Sequence, residues 1–127
     1  MGRETHPIKV LLVEDELLVS ALIAEELRDQ GFDVYEATTG EGAIACLEAE
    51  AGIDILFTDV SLPGEVDGTE LAIRARQLRP DLPIVYSSGR HAAFGLNGMV
   101  SRSLFVPKPY SPTDVCNLLA RLTEPLH

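Results

Sequence analysis

Short apolar runs alternate with longer stretches of helical period along the chain. The runs are rich in Val, Ile and Leu at successive positions, which is typical of strands that are buried on both faces. They predict five strands, at residues 8–13, 33–37, 53–58, 83–87 and 104–106.

Between these runs, apolar residues recur at three- and four-residue spacing, which favours helices with one buried face. The predicted helices lie at residues 16–30, 41–50, 69–78 and 111–122. Gly31 is a stop signal for the first of them. The last has Ser111 as its N-cap, Pro112 at its first position and Asp114 placed to complete a capping box.

The spacing also predicts which helical residues face the core. The expected inner positions are Leu18, Leu22, Ile23, Leu27, Ala43, Ile44, Leu47, Leu71, Ala72, Ala75, Leu78, Val115, Leu118, Leu119 and Leu122. The segment at residues 89–103 does not show a regular helical spacing of apolar residues. Gly95, Asn97 and Gly98 interrupt it, and each glycine costs about 1 kcal/mol in a helix relative to alanine, so we expect a short or irregular helix there.

Alternation of strands and helices implies an α/β fold, a doubly wound parallel sheet of five strands with helices on both faces. The 127 residues suit one domain, residues 1–127, with its core at 8–122. Residues 1–6 and 124–127 are expected to be loose ends, and the last three have no feature of a linker, which favours a natural end.

The composition argues against a membrane-spanning, secreted or lipid-anchored protein. Apolar residues make up 46% of the chain, yet no apolar run reaches the roughly 18 residues that span a bilayer. The first residues lack a signal peptide, and His6 stands where a myristoylation site needs Ser or Thr. We therefore expect a soluble cytoplasmic protein without a membrane partner. Cys46 and Cys116 fit no metal or redox spacing and are expected in or near the core.

The net charge of −10 is unevenly distributed. Residues 1–58 carry 13 acids and 3 bases, whereas residues 59–127 carry 7 of each. No stretch supplies the basic face that nucleic acid requires, so we expect no nucleic-acid partner. The acidic half is either a solvated surface or a sign that partner proteins bind the neutral half.

Chemistry-bearing residues follow four of the five strands. The strand ends carry Glu14-Asp15, Asp59, Ser87-Ser88-Gly89 and Pro107-Lys108-Pro109. In open parallel sheets these ends converge and form the ligand site. Each residue alone has an ordinary explanation, such as a helix cap, a turn or a solvated charge. Their occurrence at four sheet ends favours a shared pocket.

Clustered carboxylates repel one another, and a hard dication relieves that conflict. Mg²⁺ takes oxygen ligands and leaves positions for a phosphate. With such a cation, Asp59 becomes a plausible nucleophile toward phosphorus. Lys108 would stabilise charge on the transferring group, and Ser88 would donate a hydrogen bond to it.

Five segments in order resemble the receiver domains of bacterial two-component systems, across residues 8–122. The segments are Val10–Glu16, Phe57–Gly64, Asp67–Leu71, Leu82–Gly89 and Phe105–Tyr110. The resemblance implies a flavodoxin-like sheet of strand order 2-1-3-4-5.

The resemblance also implies roles for the acidic residues. Asp59 matches the phosphoacceptor position. Asp15, Asp59 and the backbone carbonyl of Ser61 match the Mg²⁺ ligands, and Glu14 would reach the metal through water.

On the other strands, the resemblance assigns Ser88 to the hydroxyl that meets the phosphoryl group. Lys108 matches the lysine that pairs with that group, and its bond to Pro109 is expected to be cis. Phe105 matches the aromatic switch residue.

The chain departs from the family pattern at several positions. Threonine is commoner than serine at Ser88, and the loop from Asp59 to Asp67 is one residue longer than usual. Positions two beyond the phosphoacceptor and two beyond the hydroxyl tune phosphate lifetime in the family. They are Ser61 and Arg90 here, and Arg90 either shields the phosphoryl group or faces solvent.

We expect a signalling receiver that catalyses only its own phosphorylation and dephosphorylation. Its partners would be a histidine kinase or histidine phosphotransfer protein and an unidentified downstream protein. One alternative is an unreactive pseudo-receiver that only binds proteins. Another is a doubly wound phosphatase, which would need more chain and a second acid.

The expected downstream surface comprises residues 90–106 and the last helix. It adjoins Phe105, and its apolar side chains are Phe94, Leu96, Met99 and Val100. The alternative is that these four side chains belong to the core.

Overall fold

A computed structural model of the chain describes residues 6–89 and 99–123. Within this part of the chain there are five strands and four helices. The strands are β1 (Lys9–Val13), β2 (Asp33–Ala37), β3 (Ile55–Asp59), β4 (Ile84–Ser88) and β5 (Ser103–Pro107). The helices are α1 (Leu17–Asp29), α2 (Gly40–Ala49), α3 (Gly68–Leu78) and α4 (Pro112–Leu122).

The five strands form one parallel sheet in the order β2-β1-β3-β4-β5. This confirms the α/β class and the strand order that the resemblance implied. The inner strands are β1, β3 and β4, and nearly all their side chains are buried because helices cover both faces. The order reverses between β1 and β3, so the carboxyl ends of these strands border a crevice.

Side chains of the sheet alternate between two hydrophobic clusters, one on each face. Leu11, Leu56 and Tyr86 point toward α2 and α3. Phe57 and Val85 point toward α1 and α4, where Ile23, Ala24, Leu27, Val115, Cys116 and Leu119 meet them. The two clusters fix both helical layers on the sheet and so hold the strand ends in place.

Local signals set most helix boundaries. The side chains of Thr39 and Asp67 accept hydrogen bonds from backbone amides at the starts of α2 and α3. Ser111 caps α4 in the same way, and Pro112 stands in its first turn, as predicted. Gly31 follows the end of α1 with φ +98°, a left-handed conformation that favours glycine.

One close approach holds α3 against the end of β3. The amide of Gly68 donates to the carbonyl of Val60 at 2.8 Å. A Cβ atom at Gly68 would overlap the backbone carbonyl of Asp59. Glycine is therefore required at this position for α3 to pack beside the strand that carries Asp59.

The structure corrects four of the predicted core positions. Leu18 and Leu22 are 82% and 60% exposed, while Leu78 and Leu122 are 46% and 36% exposed. In α1 the buried row is Ser20, Ile23, Ala24 and Leu27. Leu18 and Leu22 form a second row on α1, four residues apart, so the apolar arc of this helix is wider than the sheet can cover.

Part of the segment at 89–103 lies outside the described residues, as do residues 1–5 and 124–127. The predictions that fall there concern Arg90, Phe94, Gly95, Leu96, Asn97 and Gly98. Met99 and Val100 are half-buried and pack against the core. Cys116 is buried and Cys46 is half-buried, as expected. No described helix is long and apolar enough to cross a membrane.

Candidate functional site

The ends of four strands converge on one open cavity of about 430 Å³. Its lining residues come from both sides of the crevice, namely Asp15, Glu16, Asp59, Ser61, Ser88, Gly89 and Lys108. The strand-end rule had predicted Asp15, Asp59, Ser88, Gly89 and Lys108 at this edge of the sheet, the resemblance added Ser61, and Glu16 was not predicted. The geometry follows from the parallel register, which brings Asp59 opposite Ser87 and Ser88 opposite Pro107.

Three acidic side chains lie together beside this cavity. Carboxylate oxygens of Glu14, Asp15 and Asp59 come within 4.8 Å of one another. Glu14 and Asp59 are buried, whereas Asp15 is exposed. The cluster consists of oxygen donors only, which fits a hard cation such as Mg²⁺ better than a softer metal. The acids could therefore hold a divalent cation.

The ammonium group of Lys108 lies among the acids. Its Nζ is 2.9 Å from Glu14 Oε1, 3.1 Å from Asp59 Oδ2 and 3.3 Å from Glu16 Oε1. Burial tends to lower the pKa of Lys108, but hydrogen bonds with Glu14 and Asp59 outweigh it and raise that pKa above its ordinary value. The lysine is therefore a fixed positive charge at neutral pH.

Glu14 is the most deeply buried of the acids, with a side chain 3% exposed. Burial raises its pKa, and the hydrogen bond from Lys108 partly offsets that rise. Its second oxygen accepts the backbone amide of Glu16 at 3.0 Å. Glu14 is thus oriented from two sides, by Lys108 and by the start of α1.

Asp59 is held by its neighbours at the end of β3. The amide of Ser61 donates to its Oδ1 at 3.1 Å, and Lys108 donates to its Oδ2. The loop that follows turns at Gly64, whose φ is +89°. The carboxylate is buried, lines the open cavity and is oriented through both of its oxygens.

Ser88 is the last residue of β4, and its side chain is buried beside the cavity. Its carbonyl accepts the amide of Lys108 at 2.9 Å, which joins the ends of β4 and β5. The Lys108–Pro109 peptide bond is cis, as the resemblance implied. The backbone therefore presents Ser88 and Lys108 at neighbouring points of the rim.

Phe105 is half-buried on β5, directly opposite Tyr86 of β4. Tyr86 and Ser88 are two residues apart on one strand, so they share a face of the sheet. The Tyr86 hydroxyl accepts the amide of Val100 at 3.0 Å. Tyr86 thus links the strand that ends at Ser88 to Val100, in the described part of the 89–103 segment.

A second, apolar cavity of about 230 Å³ adjoins the first. It is lined by Val19, Leu22 and Ile23 of α1 and by Lys108, Pro109, Tyr110 and Pro112. Lys108 borders both cavities. The sequence did not indicate this groove, because it depends on how the segment before α4 folds back toward α1.

Among the described residues that line the polar cavity, Glu16 is the one that sequence reasoning missed. It follows the acidic pair directly and stands at the N-cap of α1, where its side chain makes no capping hydrogen bond. Glutamate is not a preferred N-cap residue, so the sequence could have suggested that Glu16 has a role other than capping. Its partner, Lys108, lies 92 residues away, so the sequence alone could not have identified the contact.

The chain matches the response regulator receiver domain family over residues 10–120. It is 31% identical, over 90% of its length and 95% of the relative, to the response regulator receiver protein CpdR of Brucella abortus. It is 34% identical over 91% of its length to the sensor kinase CckA of the same species.

A crystal structure of a response regulator receiver protein from Sinorhizobium medicae superposes with a TM-score of 0.86 at 31% identity, covering 92% of this chain and 94% of that one. The chain spans only 12%, 51% and 44% of CckA and two transcriptional regulatory proteins that it also matches.

The charge balance at Lys108 predicts the effect of removing the ammonium group. Lys108→Met keeps an unbranched side chain but leaves Glu14 and Asp59 facing each other without a cation. We expect the free energy of unfolding at neutral pH to fall by about 2 kcal/mol, less than for a fully buried pair because the cavity is open to solvent. Urea denaturation measures the change.

The matched control is Lys9→Met, which breaks the more exposed ion pair between Lys9 and Glu50 and should cost less. In Lys108→Met the loss should shrink at mildly acidic pH, because the pKa of Glu14 is already raised by burial and its protonation removes one of the repelling charges. Added Mg²⁺ should also reduce it. A loss no larger than that of the control would contradict this account.

Proposed function

The chain belongs to the family of response regulator receiver domains of two-component systems, and we propose that it receives a phosphoryl group on Asp59 in a Mg²⁺-dependent reaction. The observation that carries the proposal is the placement of Asp59, which lines an open polar cavity and is oriented there by Ser61 and Lys108. The donor would be the phosphohistidine of a kinase or of a phosphotransfer protein.

The acidic cluster supports the metal requirement. Asp15 and Asp59 would ligate the cation, the backbone carbonyl of Ser61 would add a ligand, and Glu14 would reach it through water. The cation would neutralise charge on the phosphoryl oxygens and on the carboxylates. It would also take over the role of Lys108 as counter-charge for Glu14, which leaves the ammonium group available to another anion.

In the proposed reaction a carboxylate oxygen of Asp59 attacks phosphorus in line with the departing imidazole nitrogen. The P–O bond forms as the P–N bond breaks, and the imidazole keeps the electron pair. Lys108 moves from carboxylate oxygens to a phosphoryl oxygen, and the Ser88 hydroxyl donates to another. These groups act by position and charge, which is what phosphoryl transfer demands.

The main alternative is a pseudo-receiver that binds proteins without reacting. The proposed nucleophile Asp59, together with Lys108, Ser88 and the acidic cluster, occurs around one cavity, which supports the reactive form. A phosphatase of another doubly wound class would need a second acid placed to protonate a leaving group, and the buried Glu14 is already paired with Lys108.

The apolar cavity supports α1 as the surface that binds the phosphodonor. Leu17, Leu18 and Leu22 are exposed on this helix, and Leu22 lines the groove that ends at Lys108. A histidine must approach Asp59 closely, so the protein that carries it has to cover the rim of the polar cavity. A groove that shares Lys108 with that cavity offers such a partner an apolar surface beside the rim.

The contacts of Phe105 support a conformational switch. We propose that the phosphoryl group draws the Ser88 hydroxyl toward Asp59 and that Phe105 turns inward, on the face it shares with Ser88. The hydrogen bond between Tyr86 and Val100 lies next to this movement. The change would then be read by a downstream protein near Phe105 and Val100.

The phosphoacceptor proposal has a direct mass test. Acetyl phosphate with Mg²⁺ should add one phosphoryl group to the wild-type protein. Asp59→Asn should add none, since an amide is a poor nucleophile, and chelation of Mg²⁺ should prevent the reaction. The control Asp81→Asn changes an exposed carboxylate and should react normally. Failure of the wild-type protein to react would favour the pseudo-receiver.

The donor surface can be tested separately from the chemistry. Leu22→Ser should slow phosphoryl transfer from an autophosphorylated histidine kinase by about tenfold, since burial of a leucine contributes roughly 1.5 kcal/mol or more. The rate with acetyl phosphate should stay unchanged. Ile73→Ser, an exposed apolar position on α3, is the matched control. Equal slowing with both donors, or equal effects of both substitutions, would contradict the proposed surface.

The switch can be followed by amide NMR with beryllofluoride and Mg²⁺ as the phosphoryl mimic. We expect large shifts at Phe105 and Val100 as well as in the cavity, because the movement of Phe105 disturbs its neighbours. Tyr86→Phe removes the acceptor for the Val100 amide and should reduce the shift at Val100 while leaving binding intact. Shifts confined to Glu14, Asp15, Asp59 and adjacent residues would indicate binding without switching.

A further inference from the structure

Glu16 makes a contact that its position in the helix does not explain. It is the N-cap of α1, yet its carboxylate makes no capping hydrogen bond and lies 3.3 Å from Lys108 Nζ. N-cap side chains ordinarily accept a hydrogen bond from the first turn. Glu16 instead joins the start of α1 to the residue that follows β5.

The contact gives the ammonium group of Lys108 its third carboxylate partner. An ammonium group has three N–H donors, and here three carboxylates surround it, from Glu14, Asp59 and Glu16. The acceptors differ in exposure, with side chains 3%, 9% and 63% exposed respectively. Glu16 is therefore the outermost of the three, at the entrance to the polar cavity.

We propose that Glu16 is a positioning residue that retains Lys108 in the unphosphorylated arrangement and thereby opposes phosphorylation. This inference rests on the proposed function of Asp59. A bound cation and a phosphoryl group would give Glu14 and Asp59 new partners, so both would release Lys108. Glu16 has no such replacement and goes on competing with the phosphoryl oxygens for the ammonium group.

The exposure of Glu16 limits the strength of this competition. Ion pairs with an exposed partner contribute little and are screened by salt. Removing the competitor should therefore change the equilibrium and the rate by a factor of roughly two to five. The effect tunes the reaction without being required for it.

Glu16→Gln is the principal test, with saturating Mg²⁺ so that metal affinity does not limit the result. We expect its second-order rate of phosphorylation by acetyl phosphate to rise roughly two- to fivefold, and its beryllofluoride affinity, measured by the shift in melting temperature, to rise by a similar factor. Both gains should diminish at high salt. The control is Glu25→Gln, which removes an exposed charge of the same helix about 14 Å along its axis.

Glu16→Asp separates the contact from simple repulsion of an anionic donor. Aspartate keeps the charge but is one methylene shorter and is a preferred N-cap residue, so it should turn toward the first turn of α1 and release Lys108. We expect it to behave like Glu16→Gln. Wild-type behaviour of Glu16→Asp would show that only the charge matters and would overturn the positioning role.

The outcomes distinguish this inference from the proposed function. If the wild-type protein is phosphorylated but Glu16→Gln reacts and binds beryllofluoride as the wild type does, only the role of Glu16 is wrong. If the wild-type protein neither reacts nor binds the mimic, the proposed function fails and this inference fails with it. Equal gains in Glu16→Gln and Glu25→Gln would reduce the effect to net charge and would also overturn it.

Discussion

The ion cluster centred on Lys108 is the interaction on which the site depends. Acids at the ends of β1 and β3 meet a lysine that follows β5, so one ammonium group links the ends of three strands and the start of α1. Without a cation the buried carboxylates of Glu14 and Asp59 would repel each other at close range. Lys108 reduces this repulsion in the folded state and leaves the carboxylates in position to bind a divalent cation. Fold stability and the proposed reaction thus both depend on neutralising the same two carboxylates.

The backbone sets this cluster up with little freedom. Parallel register aligns the strand ends, and the order of the sheet reverses beside β1, where the crevice opens. Gly68 lets α3 pack against the backbone of Asp59, and the carbonyl of Ser88 accepts a hydrogen bond from the amide of Lys108. Fixed positions of this kind suit phosphoryl transfer, in which correct placement of charge does most of the work. The apolar clusters on both faces of the sheet supply the rigidity.

Sequence reasoning located most of the fold and the polar site, for identifiable reasons. Apolar runs placed each strand to within two residues, and the strand-end rule grouped Asp15, Asp59, Ser88 and Lys108 from the sequence alone. Periodicity failed at Leu18 and Leu22, because it shows that an arc is apolar and not how much of that arc the sheet covers. The contact of Glu16 with Lys108 is long-range and could not be read from spacing. Arg90 and its neighbours lie outside the described residues, so the predictions there stand as predictions.

The border position of Lys108 between a polar and an apolar cavity has an evolutionary consequence. The proposed chemistry constrains Lys108 itself, but the residues of α1 on the far side of the groove take no part in it. If α1 binds the donor as proposed, a substitution at Leu22, which lines the groove, would after gene duplication redirect one copy to a different donor while both copies keep the proposed reaction. Insulation between parallel pathways could therefore arise on one exposed helix face, where changes cost little stability because the core does not depend on it.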